Sequence, residues 1–308
     1  MSDSEQPFRS GYVALVGKPN VGKSTLMNAM VGQKLSIVTK KPQTTRHRVI
    51  GVLTEPDYQA IFVDTPGIIE PRYALHRAMM KAVRAATTEA DVVLFVASAT
   101  DAEPDFKSLE RVGPGPSVLV ITRSDLTSRE ASLPLAEAYL RQRDFAAIVP
   151  VSGKTGYQVD RLLNEVVVLL PKGPKYYPDE MISEHPERFF VSEIIREKIL
   201  ELYREEIPYA VQVNIADFRA ASPAEVAGAA DKSHADKTRI HAEIVVERDS
   251  QKAVLIGKGG SALKQVGIRA RKDIERFLDE EIFLELFVKV RDDWRNSDRM
   301  LRDFGYDP

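Results

Sequence analysis

The chain has 308 residues and no cysteine, which excludes disulfides, thiol chemistry and zinc–cysteine sites and leaves the redox compartment open. A length of this order gives a prior of about two domains. Lys and Arg number 43 against 45 Asp and Glu, a formal net charge of −2, so no global field draws the protein to polyanions and any basic patch must be local.

Residues 1–6 are polar and acidic and lack the basic and apolar regions of a signal peptide; residues 1–9 are expected to be disordered. No apolar run approaches the roughly 18 residues of a membrane span, and the cytoplasm is the expected location. The first strand is predicted over Tyr12-Val13-Ala14-Leu15-Val16. It runs into Gly17-Lys18-Pro19-Asn20-Val21-Gly22-Lys23-Ser24-Thr25, a complete phosphate-binding loop, with helical spacing continuing through Val31. Strand, loop and helix follow in the order this motif requires. The glycines let successive N–H groups turn toward an anion ahead of a helix N-terminus. Lys23 then reaches the β- and γ-phosphates, and the Ser24 hydroxyl ligates Mg²⁺.

Gln43-Thr44-Thr45-Arg46 lies in a polar stretch suited to ordering around a γ-phosphate and Mg²⁺. One of its two threonines, Thr44 or Thr45, is expected to ligate the metal, and spacing does not choose between them. Strands are predicted at 48–54 and 58–63, separated by the turn Glu55-Pro56-Asp57. The second ends in Asp64-Thr65-Pro66-Gly67. Asp64 is placed to hold Mg²⁺ through water, and Gly67 to offer its N–H to the γ-phosphate. Thr-Pro-Gly is ordinary turn chemistry elsewhere, but downstream of a phosphate loop the functional reading prevails. Ile68 follows, where Ras-like proteins carry a water-orienting glutamine. Hydrolysis is therefore expected to be slow, or its water placed by backbone, metal or a partner, and Ile68 itself reads as a packed apolar residue.

A helix is predicted over 73–88, a strand over 91–97, a helix over 103–111, and strands over 117–121 and 146–151. Short apolar runs alternating with helices imply an α/β domain with a mostly parallel sheet covered on both faces, its ligand at the carboxyl ends of the strands. Thr122-Arg123-Ser124-Asp125 stands where guanine-binding GTPases generally carry Asn-Lys-x-Asp. The Asp125 carboxylate accepts from guanine N1–H and the exocyclic amine, and the Arg123 stem covers the base face. Thr122 lacks the amide that ties base and phosphate loop, a loss of about 1 kcal/mol. Ser152-Gly153-Lys154 resembles the Ser-Ala-Lys box; its main contact is a backbone N–H, so glycine for alanine is expected to be tolerated.

Residues 171–178, rich in Pro, Gly and charge, read as a linker. Beyond it an amphipathic helix is predicted over 188–200, strands over 208–215 and 238–247, and a mobile hairpin tip between them at 220–237. His234 and His241 have no neighbouring ligand set. Ile256-Gly257-Lys258-Gly259-Gly260 then opens a helix whose Leu263, Val266, Ala270, Ile274 and Phe277 share one face. Lys252, Lys258, Lys264, Arg269, Arg271 and Lys272 make this region locally basic. With a last strand at 283–290 the order is α-β-β-α-α-β. It resembles the K-homology (KH) arrangement, whose Gly-x-x-Gly loop clamps about four nucleotides of single-stranded RNA. A basic helix–turn–helix is the blander alternative.

Gly17 to Thr25, Gln43-Thr44-Thr45-Arg46-His47-Arg48, Asp64 to Gly67, Gly257 to Gly260, and the tail Trp294-Arg295-Asn296-Ser297-Asp298-Arg299 with Gly305-Tyr306 together resemble the Era-type ribosome-assembly GTPases over nearly the whole chain. The resemblance implies a P-loop GTPase domain over 10–170, a linker over 171–187 and a type II KH domain over 188–308. It implies a slow GTPase that takes GTP or GDP with Mg²⁺ and binds the 3′ region of 16S rRNA during maturation of the 30S subunit. A monomer is expected, with peripheral association at the inner membrane as a further implication. Asn20 matches the phosphate-loop asparagine of related potassium-activated GTPases, which adds K⁺. The rival classes are an RNA-binding scaffold with weak nucleotide binding and negligible hydrolysis, and a nucleotide-gated membrane adaptor, for which no amphipathic anchor or lipidation motif speaks.

Overall fold

The computed structural model describes residues 7–220 and 237–308. Residues 1–6, the connection 221–236 and His234 lie outside the described residues. The chain divides into two compact units, one ending at Glu184 and one running from His185 to Tyr306.

In the first unit, β1 (Arg9–Val16) leads into α1 (Lys23–Val31), β2 (Val49–Thr54), β3 (Tyr58–Asp64) and α2 (Ala74–Glu89). Then come β4 (Val92–Ser98), α3 (Phe106–Leu109), β5 (Ser117–Thr122), α4 (Arg129–Leu140), β6 (Ala147–Pro150) and α5 (Val159–Leu169). The sheet order is β2-β3-β1-β4-β5-β6, parallel except where β2 runs antiparallel to β3. β4 and β5 are buried along their length and β1 from Val13 to Val16, which explains why they read as continuous apolar runs rather than alternating ones. This order brings the carboxyl ends of β1, β3 and β5 to one edge.

Two elements differ from the sequence pattern. The helix expected over 103–111 is a single turn, capped by the Asp105 carboxylate, which accepts from the Ser108 N–H at 3.1 Å. Gly113-Pro114-Gly115-Pro116 prevents its extension. In contrast, α4 forms where no helix is predicted, and it holds Pro134 in its interior, a position that ordinarily costs about 3 kcal/mol.

The segment expected as a linker is held against the first unit as far as Glu184. Val52 N–H donates to the Ile182 carbonyl at 2.8 Å and the Ser183 hydroxyl to the Ile50 carbonyl at 2.5 Å. These contacts cover β2, which would otherwise be an open sheet edge. The Gln59 side chain, fully buried, accepts from the N–H groups of Tyr176 and Tyr177 and donates to the Tyr177 carbonyl.

The second unit begins with α6 (Glu187–Leu202) and the turn α7 (Ile207–Ala210). There follow β7 (Gln212–Arg219), β8 (Thr238–Val246), α8 (Asp249–Ile256), α9 (Ser261–Leu278), β9 (Ile282–Val290) and α10 (Asp298–Asp303). Sheet order is β7-β8-β9, with β7 antiparallel and β9 parallel to β8. The strand expected over 208–215 starts at Gln212 because Pro208 opens a helical turn instead. Val266, Ala270 and Ile274 of α9 are fully buried against the sheet, as their spacing predicts. Trp294, also fully buried, donates from Nε1 to the Ala210 carbonyl at 2.9 Å.

Trp294→Ala is expected to destabilise the second unit by about 3–5 kcal/mol. Urea unfolding followed by circular dichroism is the measurement, since Trp294 is the only tryptophan in the chain and fluorescence would lose its reporter.

Candidate functional site

α1 starts at Lys23 with no side chain capping its N-terminus, so its first N–H groups remain available to an anion. Lys23 is buried, and its Nζ donates to the carbonyls of Gly17 and Lys18 at 2.9 Å each. Burial pushes its pKa down from 10.5 to about 8, partly offset by the charges of Asp64 and Asp105. Phosphate at this loop would supply the counter-charge and reverse the shift.

Asp64, at the end of β3, is fully buried. Ser24 Oγ donates to its Oδ2 at 2.6 Å and lies 2.8 Å from Thr45 Oγ1, which itself is 3.3 Å from the same carboxylate oxygen. Asp64 Oδ1 has no hydrogen-bond partner, and burial raises the carboxyl pKa. Two hydroxyls and a carboxylate with a spare buried oxygen form a hard-oxygen donor set of the kind Mg²⁺ takes. The Thr44 hydroxyl turns away, donating to the Lys41 carbonyl at 2.6 Å and lying 2.7 Å from Thr39 Oγ1. Of the two threonines, the structure thus brings Thr45 to Ser24 and Asp64.

A cavity of about 800 Å³ extends from this cluster to the loops after β5 and β6. It is bordered by Pro19, Asn20, Gly22 to Thr25, Gly67, Thr122, Arg123, Asp125 and Ser152 to Lys154, joining three sequence-separated motifs. The Thr122 hydroxyl donates to the Val21 carbonyl, with the Ala97 carbonyl 3.1 Å away. The tie to the phosphate loop that the missing amide was expected to remove is therefore present. Arg123 adds a second: Nη2 donates to the Asn20 carbonyl at 2.5 Å. A Cβ on Gly153 would stand 3.0 Å from the Thr25 carbonyl, because α1 runs close beneath. Glycine is the residue that fits this approach without displacement.

Other predicted residues hold the cavity from behind. Lys18 pairs with Asp101 at 3.0 Å, and Thr65 donates to the Leu15 carbonyl at 2.7 Å. Pro66 is buried, and Ser124 N–H donates to the Val151 carbonyl. Ile68 N–H donates to the Gly17 carbonyl at 3.1 Å while its side chain packs on the sheet core. The cavity also takes in Ile37, Val38, Thr39, Lys40 and Leu126, which the sequence reading passed over. An apolar pair ahead of the polar stretch, and a leucine beside Asp125 that stays exposed, were the signals available. Among the described residues no cluster of three or more His, Cys, Asp or Glu gathers to hold a metal, and no helix is long and apolar enough to cross a membrane.

In the second unit, Gly257, Gly259 and Gly260 adopt φ of +71°, +58° and +77°, which give the tight turn between α8 and α9 that branched residues cannot make. Lys258 and Lys264 are exposed beside it. Next to the turn, a groove of about 340 Å³ runs between α9 and β9, bordered by Lys264, Gly267, Ile268, Arg271, Leu284 and Leu286. Its apolar floor with basic walls suits unpaired bases and phosphates. Ile256, expected to contact RNA, is half-buried and packs in part against the core.

A family model described as 50S ribosome-binding GTPase matches residues 12–123, and one described as KH domain matches 206–295. GTPase ERA1, chloroplastic, of Zea mays is 45% identical over 305 residues, covering 97% of this chain and 70% of that protein. GTPase ERA-like, chloroplastic, of Arabidopsis thaliana is likewise 45% identical, with 97% and 69% covered. Among solved structures, Era in complex with MgGDPNP and nucleotides 1506–1542 of 16S ribosomal RNA superposes with a TM-score of 0.90 at 38% identity, covering 98% of this chain and 100% of that one. A variant of Aquifex aeolicus Era bound to GDP·AlF4⁻ gives 0.89 at 38% identity with the same coverage.

Thr45→Ala is expected to raise the Mg²⁺ concentration needed for GTP binding by about five- to tenfold, the equivalent of one hydrogen bond or ligand oxygen. Thr44→Ala should leave it unchanged. Titration of GTP affinity against Mg²⁺ for the two variants is the check.

Proposed function

The chain belongs to the Era family of GTPases, and from that premise we propose that it is a Mg²⁺-dependent GTP switch that binds 16S rRNA and acts in assembly of the small ribosomal subunit. One observation carries the reading. Ser24 and Thr45 border one end of a single cavity with the buried Asp64 carboxylate bonded behind them, while Asp125 borders the same cavity, in a chain that also carries a Gly-x-x-Gly turn.

In this reading the triphosphate lies on the phosphate loop and the α1 N-terminus, with Lys23 beside it. Ser24, Thr45 and Asp64 would hold Mg²⁺, which when bound would supply charge neutralisation for phosphoryl transfer. Gly67 borders the γ-phosphate end, and Asp125 accepts from guanine. The Ile68 side chain is committed to packing and cannot orient water, which supports slow intrinsic turnover. Thr122 restores the loop tie, which favours an active nucleotide domain over a weakly binding scaffold. Asn20, whose amide donates to the Lys40 carbonyl at 2.9 Å, supports a K⁺ contribution at the point where phosphate loop and residues 37–45 meet. The KH unit binds the RNA, as the related Era does with nucleotides 1506–1542 of 16S rRNA. We place the protein in the cytoplasm; the two plant relatives are chloroplastic.

Asp125→Asn is expected to lower GTP affinity and favour xanthosine nucleotides, whose 2-oxo group pairs with the amide; equal binding of ATP and GTP by the unaltered protein would refute guanine recognition. GTP turnover should be faster in KCl than in NaCl at equal ionic strength, and equal rates would remove the K⁺ role. Gly259→Asp places a carboxylate at the clamp, where a side chain has room but φ is positive. It should abolish binding of a 16S 3′ oligonucleotide and leave GTP binding intact.

A further inference from the structure

A second cavity of the first unit, about 560 Å³, lies behind the nucleotide site. It exists because α3 is a single turn and Gly113-Pro114-Gly115 cannot cover the flank of α2. Its inner wall is apolar, built from Ile68, Met80, Val83 and Val93. At its mouth stand Arg84 and Arg111, both exposed and neither with an ionic partner among the described residues. Glu110 is the one carboxylate on the rim, so the local balance is positive.

Two consecutive residues separate this space from the nucleotide cavity. Gly67 borders the front cavity and Ile68 the rear one. Ile68 N–H holds the Gly17 carbonyl of the phosphate loop at 3.1 Å, and the next N–H, of Ile69, points at Met80 Sδ, 3.5 Å away, on the rear wall. A displacement of Gly67 at the γ-phosphate end must therefore move Ile68 on the wall of the rear cavity and Ile69 against Met80 of that wall.

We propose that this rear cavity is a binding site for a small amphipathic anion, an apolar body carrying one carboxylate or sulfonate, whose affinity depends on the nucleotide in the front cavity. The volume suits a ligand of drug-like size. The apolar wall takes the body, and the two unpaired guanidinium groups take the acid. Arginine is suited to this because its planar fork matches a carboxylate bidentately. Coupling to the front cavity rests on the GTPase reading, and linkage makes it reciprocal: whatever factor the nucleotide applies to the anion, the anion applies to the nucleotide.

Anilinonaphthalene sulfonate is a suitable probe, titrated by fluorescence into the full-length protein without nucleotide, with GDP and with a non-hydrolysable GTP analogue. One saturable equivalent should bind, and decanoate should compete for it. Thr88→Trp sets a ring across the mouth from an exposed position on α2, and Arg84→Glu with Arg111→Glu reverses the charge there. Each should weaken the probe by about tenfold or more, the scale of one or two charge-assisted hydrogen bonds, with an unchanged circular dichroism spectrum showing that the variants fold. Affinities with GDP and with the GTP analogue should differ by about fivefold or more. Probe binding that ignores both sets of substitutions, or that is equal with the two nucleotides, overturns the proposal. Binding of a fluorescent GTP by the same preparation tests the GTPase reading separately, and the nucleotide-free titration tests the rear site even where that reading fails.

Discussion

A carboxylate cut off from solvent organises the nucleotide end of the first unit. Asp64 sits at the end of β3 with no exposed surface, accepts from Ser24 at the start of α1 and lies within reach of Thr45. Three segments that are distant in the chain thus share one oxygen atom, while the other carboxylate oxygen has no partner. Burying a charge without enough partners is costly, and here the burial raises the carboxyl pKa and, a few ångströms away, lowers that of Lys23. Both shifts have the same first cause, desolvation by burial, which disfavours the charged form of each group.

The base end of the same cavity is solved with different residues from those guanine-binding GTPases generally use. Asp125 borders the cavity there, and the structural wiring beside it is done by a hydroxyl and a guanidinium. Thr122 reaches Val21 and Arg123 reaches Asn20, two consecutive carbonyls of the phosphate loop. A shorter side chain at 122 is sufficient because the loop passes directly over the end of β5. Position 123 then carries the longer reach, with a fork that also approaches Thr100 at 3.4 Å.

In the second unit the glycine turn and the groove beside it are placed by the core. Buried residues of α9 fix that helix against the β7-β8-β9 sheet, and this leaves Lys264, Ile268 and Arg271 on the flank beside the glycine turn. A buried ion network ties α6 to α9: Lys198 meets Asp273 at 2.6 Å and Glu197 at 3.0 Å. Such pairs contribute little net stability, but removing Lys198 would strand the buried Glu197 carboxylate, so the network holds the helices in one relative arrangement.

Much of this was legible along the chain because its signals are local. A strand, a glycine-bearing loop and a helix follow one another within twenty residues, Asp64 stands at a strand end, and Gly257 to Gly260 turn ahead of an amphipathic helix, all as the chain predicts. Each depends on residue types at fixed short spacing. What the chain could not reveal depends on distance between remote segments. Thr45 and Thr44 are adjacent and chemically identical, and only the path of the loop turns one toward Asp64 and the other toward Lys41. Thr122 looked deficient until its hydroxyl was found on Val21, 101 residues away in sequence. α4 was hidden by Pro134, because a proline's local penalty is visible in sequence and the packing that offsets it is not. Sequence alone determined which chemical groups this protein carries and in what order. Tertiary structure decided which of them meet, because hydrogen bonds and metal ligation require oxygen and nitrogen atoms within about 3 Å, a condition that no spacing along the chain can specify.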